Sequence, residues 1–472
     1  QMIVTLTLIY IGYAAAWNIV AGFAGQFTFG HAAFFGLGAF SATLLTVWFG
    51  IPPLVGMWAG VLAAGLAAAI IGAITLKLRG LYFGLVTVVF PTIFAVVATY
   101  LGYQEVSVPF NFYGGFAYFS PSQPWVLSAF ALGAAIMILG ITIVLLRSRF
   151  GLFFGAVRSD QDAAEACGIK TTQVKMFALV VSAALSAVVG GLYASVALVV
   201  TPGDVFGLQM SVEPVLFTVF GGIGTLAGPI LGAAILVPLS ETRVATFGST
   251  FPTLSGLVYG GALLLVITLF PGGVAPMLAS LAGRLWPQAA MQARDVTAVN
   301  AGEAPPTAPE PQAEAAERVV KLAAPGTPVL DVSQIYKAFG GTKVLQNVTM
   351  TVNQGEIVGV IGPNGAGKTT LFNVINGFLR ADSGSISLSG RNATRLKPSL
   401  VAGCGVGRTF QTVRLFTTMS AVENVYAAAS ARVSSHAVAL ADTWAAIEEV
   451  ELAGRAFARI GELTTGELRR LE

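Results

Sequence analysis

Gly362-Pro363-Asn364-Gly365-Ala366-Gly367-Lys368-Thr369-Thr370 is the segment that says most about this chain. It matches the pattern G-x-x-x-x-G-K-[ST], follows the β-rich run Gly355–Ile361 and precedes a helical pattern that starts at Leu371. Glycines let successive backbone N–H groups face a phosphate, Lys368 adds a positive charge, and the Thr369 hydroxyl is a ligand for Mg²⁺. The motif and its flanks predict a nucleotide-binding domain of the α/β P-loop type.

Composition divides the rest of the chain into two parts. The 472 residues are 55% hydrophobic and 10% charged, with a mean hydropathy of +0.76, whereas soluble domains carry about 25% charged residues. Between Gln1 and Leu146 the charged residues are Lys77, Arg79 and Glu105, but the region after Glu303 has the mixture of a soluble protein. We therefore expect a membrane domain followed by a cytosolic one. The net charge of +3 predicts no nucleic-acid partner.

Hydrophobic runs of about 20 residues, the length that crosses a bilayer, recur along the first part. They are Met2–Val20, Phe27–Phe49, Pro53–Leu76, Leu81–Leu101, Val126–Leu146, Val174–Val200, Ser211–Leu239 and Leu254–Phe270. Basic residues mark the cytosolic side, so Lys77 and Arg79 predict one inner loop and Phe150–Thr172 another, with Gly102–Pro124 outside. Because the chain begins within hydrophobic sequence at Gln1, we expect it to be a fragment at this end.

One of these runs, Ser211–Leu239, contains a glycine- and proline-rich interruption at Gly221–Pro229. Such residues weaken a helix and leave backbone groups that need partners. We predict a broken, re-entrant element or two short crossings, because a single crossing would place the nucleotide-binding part outside the cell. The glycine-rich stretch Gly22–Gly38 predicts a second break.

We expect an α-helical polytopic membrane domain at 1–285, a flexible Ala/Pro-rich linker at 286–327 and an incomplete α/β P-loop domain at 328–472. The linker contains Pro287–Gly326, which has few large apolar residues and cannot form a core. In the last domain, apolar runs predict strands at Val329–Ile335, Val344–Val352, Ile357–Ile361 and Ser385–Leu388. A helix-rich stretch is predicted around Ala421–Ile460.

Three further motifs have two interpretations each. Phe339, 29 residues before Lys368, either stacks on an adenine or closes a strand. Gln411, in Gly407-Arg408-Thr409-Phe410-Gln411, either contacts Mg²⁺ and an attacking water or is a solvated loop residue. The turn Leu463-Thr464-Thr465-Gly466-Glu467 either receives a γ-phosphate at a helix N-terminus or is an ordinary helix cap.

In this order the motifs resemble the A-loop aromatic, Walker A loop, Q-loop and signature of an ATP-binding-cassette (ABC) ATPase. The runs Arg408–Phe416 and Arg469–Glu472 narrow the resemblance to the ATPase subunits of branched-chain amino acid importers. The signature departs from the usual Leu-Ser-Gly-Gly-Gln, since Thr465 replaces glycine or tyrosine and Glu467 replaces glutamine. The resemblance implies that ATP is bound by Phe339 and Gly362–Thr370, and that Mg²⁺ is bound by Thr369 and Gln411.

The residues that hydrolyse ATP are not found among these motifs. In the family, the Walker B aspartate, the catalytic glutamate and the switch histidine all follow the signature, but this chain stops at Glu472. His436 precedes the signature and is not that histidine. We therefore assign no catalytic residue, and we expect the chain as it stands to bind ATP and to hydrolyse little of it.

The membrane region resembles the permease subunit of the same importers through Asn18–Gln26, Gly30–Ala39 and Phe150–Lys170. Within the last of these, Asp162-Ala163-Ala164-Glu165-Ala166-Cys167-Gly168 resembles the coupling helix by which permeases dock on ABC ATPases. The resemblance implies a docking surface near Gln411–Met419. The alternative is an ordinary amphipathic loop helix.

Four single residues allow only general predictions. His31 either lines a polar translocation path or forms a helix-packing hydrogen bond. Glu213 is either a gate or an interface residue. Cys167 and Cys404 have no ligand-like spacing and are expected to be buried or inert thiols.

Together, the resemblances imply a fused permease and ATPase that imports branched-chain or related small amino acids, with ATP and Mg²⁺, across a bacterial inner membrane. The ATP-binding part is expected in the cytoplasm. The implied partners are a second permease subunit, a second ATP-binding subunit, a periplasmic substrate-binding protein and membrane lipid. A urea or short-amide importer is one alternative, and a hydrolysis-deficient, ATP-sensing membrane module is the other.

Overall fold

A computed structural model of the chain describes residues 1–78, 80–107, 124–247, 268, 272–278, 326–433 and 435–472. The chain forms two compact units. We call Gln1–Phe154 with Thr172–Val299 the helical unit, and Gly155–Thr171 with Asn300–Glu472 the P-loop unit. The short segment Gly155–Thr171 therefore groups with the C-terminal part of the chain, although the sequence places it between two membrane spans.

The helical unit contains long apolar helices. They are α1 (Met2–Asn18), α2 (His31–Phe49), α3 (Pro53–Thr75), α4 (Leu81–Thr87), α5 (Val89–Tyr100), α6 (Pro124–Arg147) and α9 (Thr171–Ala197). Among the described residues, six helical stretches are long and apolar enough to cross a membrane, with α4 and α5 counted as one. They confirm the first six predicted spans. On α3, Leu62, Leu66, Ile70 and Ile74 recur every fourth residue and are all exposed, so this stripe faces away from the interior of the unit.

Shorter elements connect and follow these helices. They are α7 (Arg149–Ser159), α8 (Gln161–Ala166), α10 (Pro202–Val205), α11 (Leu208–Gly221), α12 (Ala227–Phe247), and the two-residue strands β1 (Val106–Ser107) and β2 (Val199–Val200). The strands β1 and β2 pair antiparallel.

The predicted break in Ser211–Leu239 is confirmed, because α11 ends at Gly221 and α12 begins at Ala227. Gly222, in the turn between them, has φ = 128°, a conformation that side chains disfavour. A Cβ on Gly221 would collide with the carbonyl of Gly228, so glycine also permits the close antiparallel packing of the two helices. The predicted run Leu254–Phe270 lies outside the described residues, apart from Thr268.

The second predicted break is also present. After α1 the chain forms a π-helical turn, Ile19–Phe23, and then a non-helical segment that ends at His31. The Asn18 side chain joins the two breaks: its Oδ1 accepts from the N–H of Gly224 at 2.9 Å, and its Nδ2 donates to the carbonyl of Thr225 at 2.9 Å. One amide thus satisfies backbone groups that the broken helix leaves free.

The P-loop unit is built on an antiparallel sheet of order β4–β3–β5–β6. Its strands are β3 (Pro328–Phe339), β4 (Thr342–Asn353), β5 (Ser383–Leu388) and β6 (Arg391–Asn392). A register shift at Gln334, whose φ is 50°, turns both Val332 and Ile335 toward the core although they are three positions apart. Three of the predicted strands, Val329–Ile335, Val344–Val352 and Ser385–Leu388, are thereby confirmed.

The helices of this unit are α13 (Lys368–Ile375), α14 (Pro398–Gly403), α15 (Ala421–Arg432), α16 (His436–Glu449) and α17 (Thr465–Leu471). Leu371 and Val374 of α13 are buried in the same cluster as Ile386 of the sheet. The predicted helix-rich stretch is confirmed by α15 and α16.

The predicted strand Ile357–Ile361 is wrong for the described structure. This segment has no strand hydrogen bonds, and the side chains of Ile357 and Ile361 are 98% and 95% exposed. A strand needs a neighbour that accepts and donates its backbone hydrogen bonds. In the part of the chain that the structure describes, no strand pairs with this segment, so an apolar pattern alone does not make it one.

Candidate functional site

The phosphate-binding loop leads directly into α13, with Gly367 as the N-cap residue. Gly365 and Gly367 have φ of 86° and 88°, in the left-handed region that favours glycine. A Cβ on Gly367 would lie 3.0 Å from the carbonyl oxygen of Val344, so a side chain would also be crowded there. Among the described residues, no hydrogen bond uses the N–H groups of Gly365 and Gly367, which leaves them available to an anion at the positive end of the helix.

Lys368 lies against the same loop. Its Nζ donates to the carbonyl oxygens of Gly362 at 2.6 Å and Pro363 at 2.8 Å. The neighbouring Thr369 is exposed, so its hydroxyl is accessible. Free amides, a lysine ammonium and a hydroxyl on one turn fit the phosphates of a nucleotide and a magnesium ion bound with them.

Phe339 ends β3 and pairs with Thr342 across the β3–β4 turn. Its ring is 49% exposed, and the Lys337 Nζ lies 5.5 Å from the ring centroid. That ammonium is held by Asp382 at 2.6 Å, and this hydrogen bond lowers the pKa of the Asp382 carboxyl. Phe339 therefore closes the strand, as one of its two interpretations predicted. Its half-exposed ring is accessible for the predicted adenine contact, which stays a prediction.

The segment that precedes Gln411 is anchored to α13 by a residue whose role the sequence did not indicate. Arg408 donates from Nη2 to Oδ1 of Asn373 at 2.8 Å. Its guanidinium lies 4.9 Å from the ring centroid of Phe378 and 4.8 Å from that of Phe410. Burial, with a smaller effect of Arg414, lowers the pKa of Arg408. Gln411 itself is exposed, and its predicted contact with Mg²⁺ stays a prediction.

The predicted coupling helix is α8, which belongs to the P-loop unit. Asp160 caps it by accepting from the N–H groups of Asp162 at 2.9 Å and Ala163 at 3.0 Å. Ala163 and Ala164 are buried, and Gly168 follows the helix with φ = 97°. The small residues thus form the packed face of α8.

Three polar contacts join α8 and its flank to the surface predicted near Gln411–Met419. The Arg414 Nη1 lies 3.1 Å from Oδ2 of Asp162 and 3.5 Å from Oδ2 of Asp160. Just before α8, the Ser159 hydroxyl lies 2.9 Å from the hydroxyl of Thr418. Within the P-loop unit, therefore, α8 lies on the surface that the resemblance implied.

Glu165 has a local role. It accepts hydrogen bonds from Thr171 at 2.5 Å and from Gln161 at 3.2 Å, which join α8 to the first residue of α9. Behind the helix is a cavity of about 320 Å³ whose lining includes Cys167. Burial raises the pKa of the Cys167 thiol, which is consistent with the predicted inert thiol.

The signature-like turn forms a complete capping box at the start of α17. Thr464 Oγ1 accepts from the N–H of Glu467, and Glu467 Oε2 accepts from the N–H of Thr464 at 2.7 Å. That backbone hydrogen bond is the main cause that lowers the pKa of Glu467. The glutamate in place of the usual glutamine thus completes the capping box, with Thr464 as the N-cap residue. The structure thus has the helix cap that one interpretation predicted. The contact with a γ-phosphate stays a prediction.

His31 and Glu213, the two ionisable residues that the sequence analysis singled out in the helical unit, occupy different surroundings. His31 is fully buried, and its Nε2 lies 2.6 Å from the Ser182 hydroxyl, which donates to the carbonyl of Ala16 at 2.6 Å. Because the Ser182 hydroxyl proton is donated to Ala16, the Nε2 of His31 donates to the Ser182 oxygen. These bonds link α1, α2 and α9. This geometry favours the helix-packing interpretation. Glu213 accepts from Gln209 on the same helix at 3.0 Å.

Comparison with known families assigns both parts of the chain. Residues 1–267 match the family described as "Branched-chain amino acid transport system / permease component". Residues 345–472 match the ABC transporter family. The chain therefore joins a permease region to an ATP-binding-cassette region.

Among curated relatives, LivG of Salmonella typhimurium, a high-affinity branched-chain amino acid transport ATP-binding protein, is 38% identical over 31% of this chain and 63% of its own length. BraF of Pseudomonas aeruginosa, named in the same way, is 39% identical over the same shares. The chain spans less than two thirds of these relatives. Among solved structures, the ADP conformation of the ATP-binding cassette MJ1267 is 29% identical over 31% of this chain and 62% of its own, with a TM-score of 0.26.

Proposed function

Because the chain belongs to the family of branched-chain amino acid transport permeases, we propose that it is the fused permease and ATP-binding component of an importer for branched-chain or related small amino acids. One observation carries this proposal. A permease-family region and an ABC-family region share one polypeptide, and the loop of the permease region that bears α8 packs within the P-loop unit through Ala163, Ala164 and Asp162.

The P-loop residues supply the binding of ATP. The N–H groups of Gly365 and Gly367 and the ammonium of Lys368 would hold its phosphates, and Thr369 with Gln411 would hold Mg²⁺. Phe339 would cover the adenine. The positive end of α13 and the lysine charge both favour the nucleotide in its anionic form.

The helical unit supplies the path. Interrupted helices in a membrane domain are typical of transporters. Two such breaks follow α1 and α11, and Asn18 bonds the first to the second. A conformational change that reaches α8 would be passed directly along the chain to α7 and α9.

Localisation and partners follow from this function. The chain would reside in a bacterial inner membrane with its P-loop unit in the cytoplasm, where ATP is found. A second permease subunit, a second ATP-binding subunit and a periplasmic substrate-binding protein would complete the importer.

Uptake by the assembled importer tests the proposal. The chain would be reconstituted with its partners in proteoliposomes that contain ATP, with labelled leucine and binding protein outside. We expect uptake that depends on ATP and is abolished by Lys368→Ala, and competition by valine and isoleucine rather than by urea or acetamide. Competition by urea or acetamide alone would assign the other importer class. ATP binding without any uptake would instead indicate an ATP-sensing module.

A further inference from the structure

The side chain of Glu472 bonds to the backbone on both sides of Gln411. Its Oε1 accepts from the N–H of Phe410 at 3.0 Å and from the N–H of Arg414 at 3.3 Å. Two N–H groups that converge on one carboxylate oxygen form charge-assisted hydrogen bonds, which are stronger than neutral ones. The loop from Phe410 to Arg414 is therefore closed around this carboxylate.

Nothing else in the described chain engages the charge of Glu472. Arg470, two positions earlier, donates to the carbonyl of Val450 at 3.1 Å and lies 3.5 Å from Oε2 of Glu451. Arg414 directs its guanidinium to Asp162. Among the described residues no ion pair includes Glu472, and its carboxylate accepts from the two backbone N–H groups of the loop.

The same loop is held at two other points. Two residues before the loop, Arg408 bonds to Asn373 on α13, the helix of the phosphate-binding loop. At its end, Arg414 bonds to Asp162 on α8, and its guanidinium lies 4.9 Å from the ring centroid of Phe410. The loop thus connects three helices, and Glu472 is the connection to α17.

We propose that Glu472 is a positioning residue that sets the conformation of the Phe410–Arg414 loop, and so links α17, which follows the signature-like turn, to the predicted coupling helix α8. The role of Glu472 in transport rests on the proposed function, whereas its control of the loop conformation does not. A shift of α17 along its axis moves the carboxylate, and the two N–H groups that it holds must follow or lose their bonds. Since Arg414 is one of the two, such a shift changes the geometry of the Arg414–Asp162 pair.

Hydrogen exchange tests the structural content on the full chain in nanodiscs. Glu472→Ala removes the acceptor, Glu472→Gln keeps a neutral acceptor, and Glu451→Ala removes a carboxylate from a nearby exposed site. In Glu472→Ala we expect the amides of Phe410 and Arg414 to exchange about tenfold faster, with a smaller rise in Glu472→Gln and none in Glu451→Ala. Unchanged exchange of both amides in Glu472→Ala would overturn the proposal.

A double-mutant cycle in the assembled importer tests the link to α8. If Glu472 acts through the loop, Glu472→Gln and Asp162→Ala each lower the ratio of transport to ATP use, and the double variant is no worse than the poorer single one. If the losses of the two single variants instead multiply in the double variant, the two residues act independently, which contradicts a shared path through the loop. An importer that fails to transport in its unaltered form refutes the proposed function, whereas the exchange result still decides the role of Glu472.

Discussion

Placing a charged side chain at Ala164 should detach α8 from its surface. Ala164 is fully buried, so Ala164→Glu must overpack the contact, at about 1–3 kcal/mol, or bury an unpaired carboxylate, at about 3–5 kcal/mol. Taking about 4 kcal/mol, the docked population falls roughly 1000-fold relative to the undocked one. The Arg414–Asp162 pair, with side chains 39% and 29% exposed, is worth only about 0.5–1 kcal/mol, so Arg414→Ala should lower that population no more than about fivefold.

A disulfide reports docking directly. Ser159 and Thr418 have hydroxyls 2.9 Å apart, so cysteines at both positions should cross-link under mild oxidant once Cys167 and Cys404 are replaced by alanine. We expect cross-linking to be lost in Ala164→Glu and largely kept in Arg414→Ala. The matched control is Lys170→Glu, which adds the same side chain at an exposed position of the same segment. Equal cross-linking in Ala164→Glu and Lys170→Glu would refute the reasoning.

Other predictions concern binding, pH, the linker and topology. Lys368→Ala should weaken binding of a fluorescent ATP analogue about 10–100-fold, because a charge-assisted contact to phosphate is lost; unchanged affinity would contradict the assigned site. Since the folded-state pKa of Glu467 is lowered, its contribution to stability is present above the usual carboxyl range and is lost as the pH falls, so thermal unfolding of Glu467→Gln should show less acid destabilisation than the unaltered chain. Inserting flexible residues within Pro305–Pro311 should leave transport by the assembled importer nearly unchanged, and loss of transport would make the linker the transmitting element. Cysteines placed at 102–124 should react with an impermeant reagent from the periplasm, and those at 150–172 only from the cytosol; the reverse pattern would invert the proposed topology.

Short-range patterns predicted much of this protein because their physics is local. The phosphate-binding loop requires glycine dihedrals and a helix start within nine consecutive residues, and the structure has both at Gly365, Gly367 and Lys368. Hydropathy predicted the apolar helices, and the glycines near Gly221 predicted the break between α11 and α12. The polar contacts of α8 also lie where the family resemblance implied, although no sequence pattern singled out Arg414.

Elsewhere, the same local pattern was compatible with more than one structure. Thr464 and Glu467 match both a phosphate-binding turn and a capping box, and the structure forms the capping box. The apolar run Ile357–Ile361 has the composition of a strand but lacks a paired neighbour among the described residues. Strand formation depends on a partner that is distant in sequence, so composition alone could not decide it.

By itself the sequence determined which segments are apolar, where helices break and where a phosphate loop forms, since each depends on neighbouring residues. Only the tertiary structure decided the partners of single polar side chains: His31 bonds to Ser182, 151 positions away, and Glu472 bonds to Phe410, 62 positions away. A buried polar group must be satisfied, but many distant groups can satisfy it equally well. The choice among them is made by the packing of helices and strands, which brings one candidate within hydrogen-bonding distance.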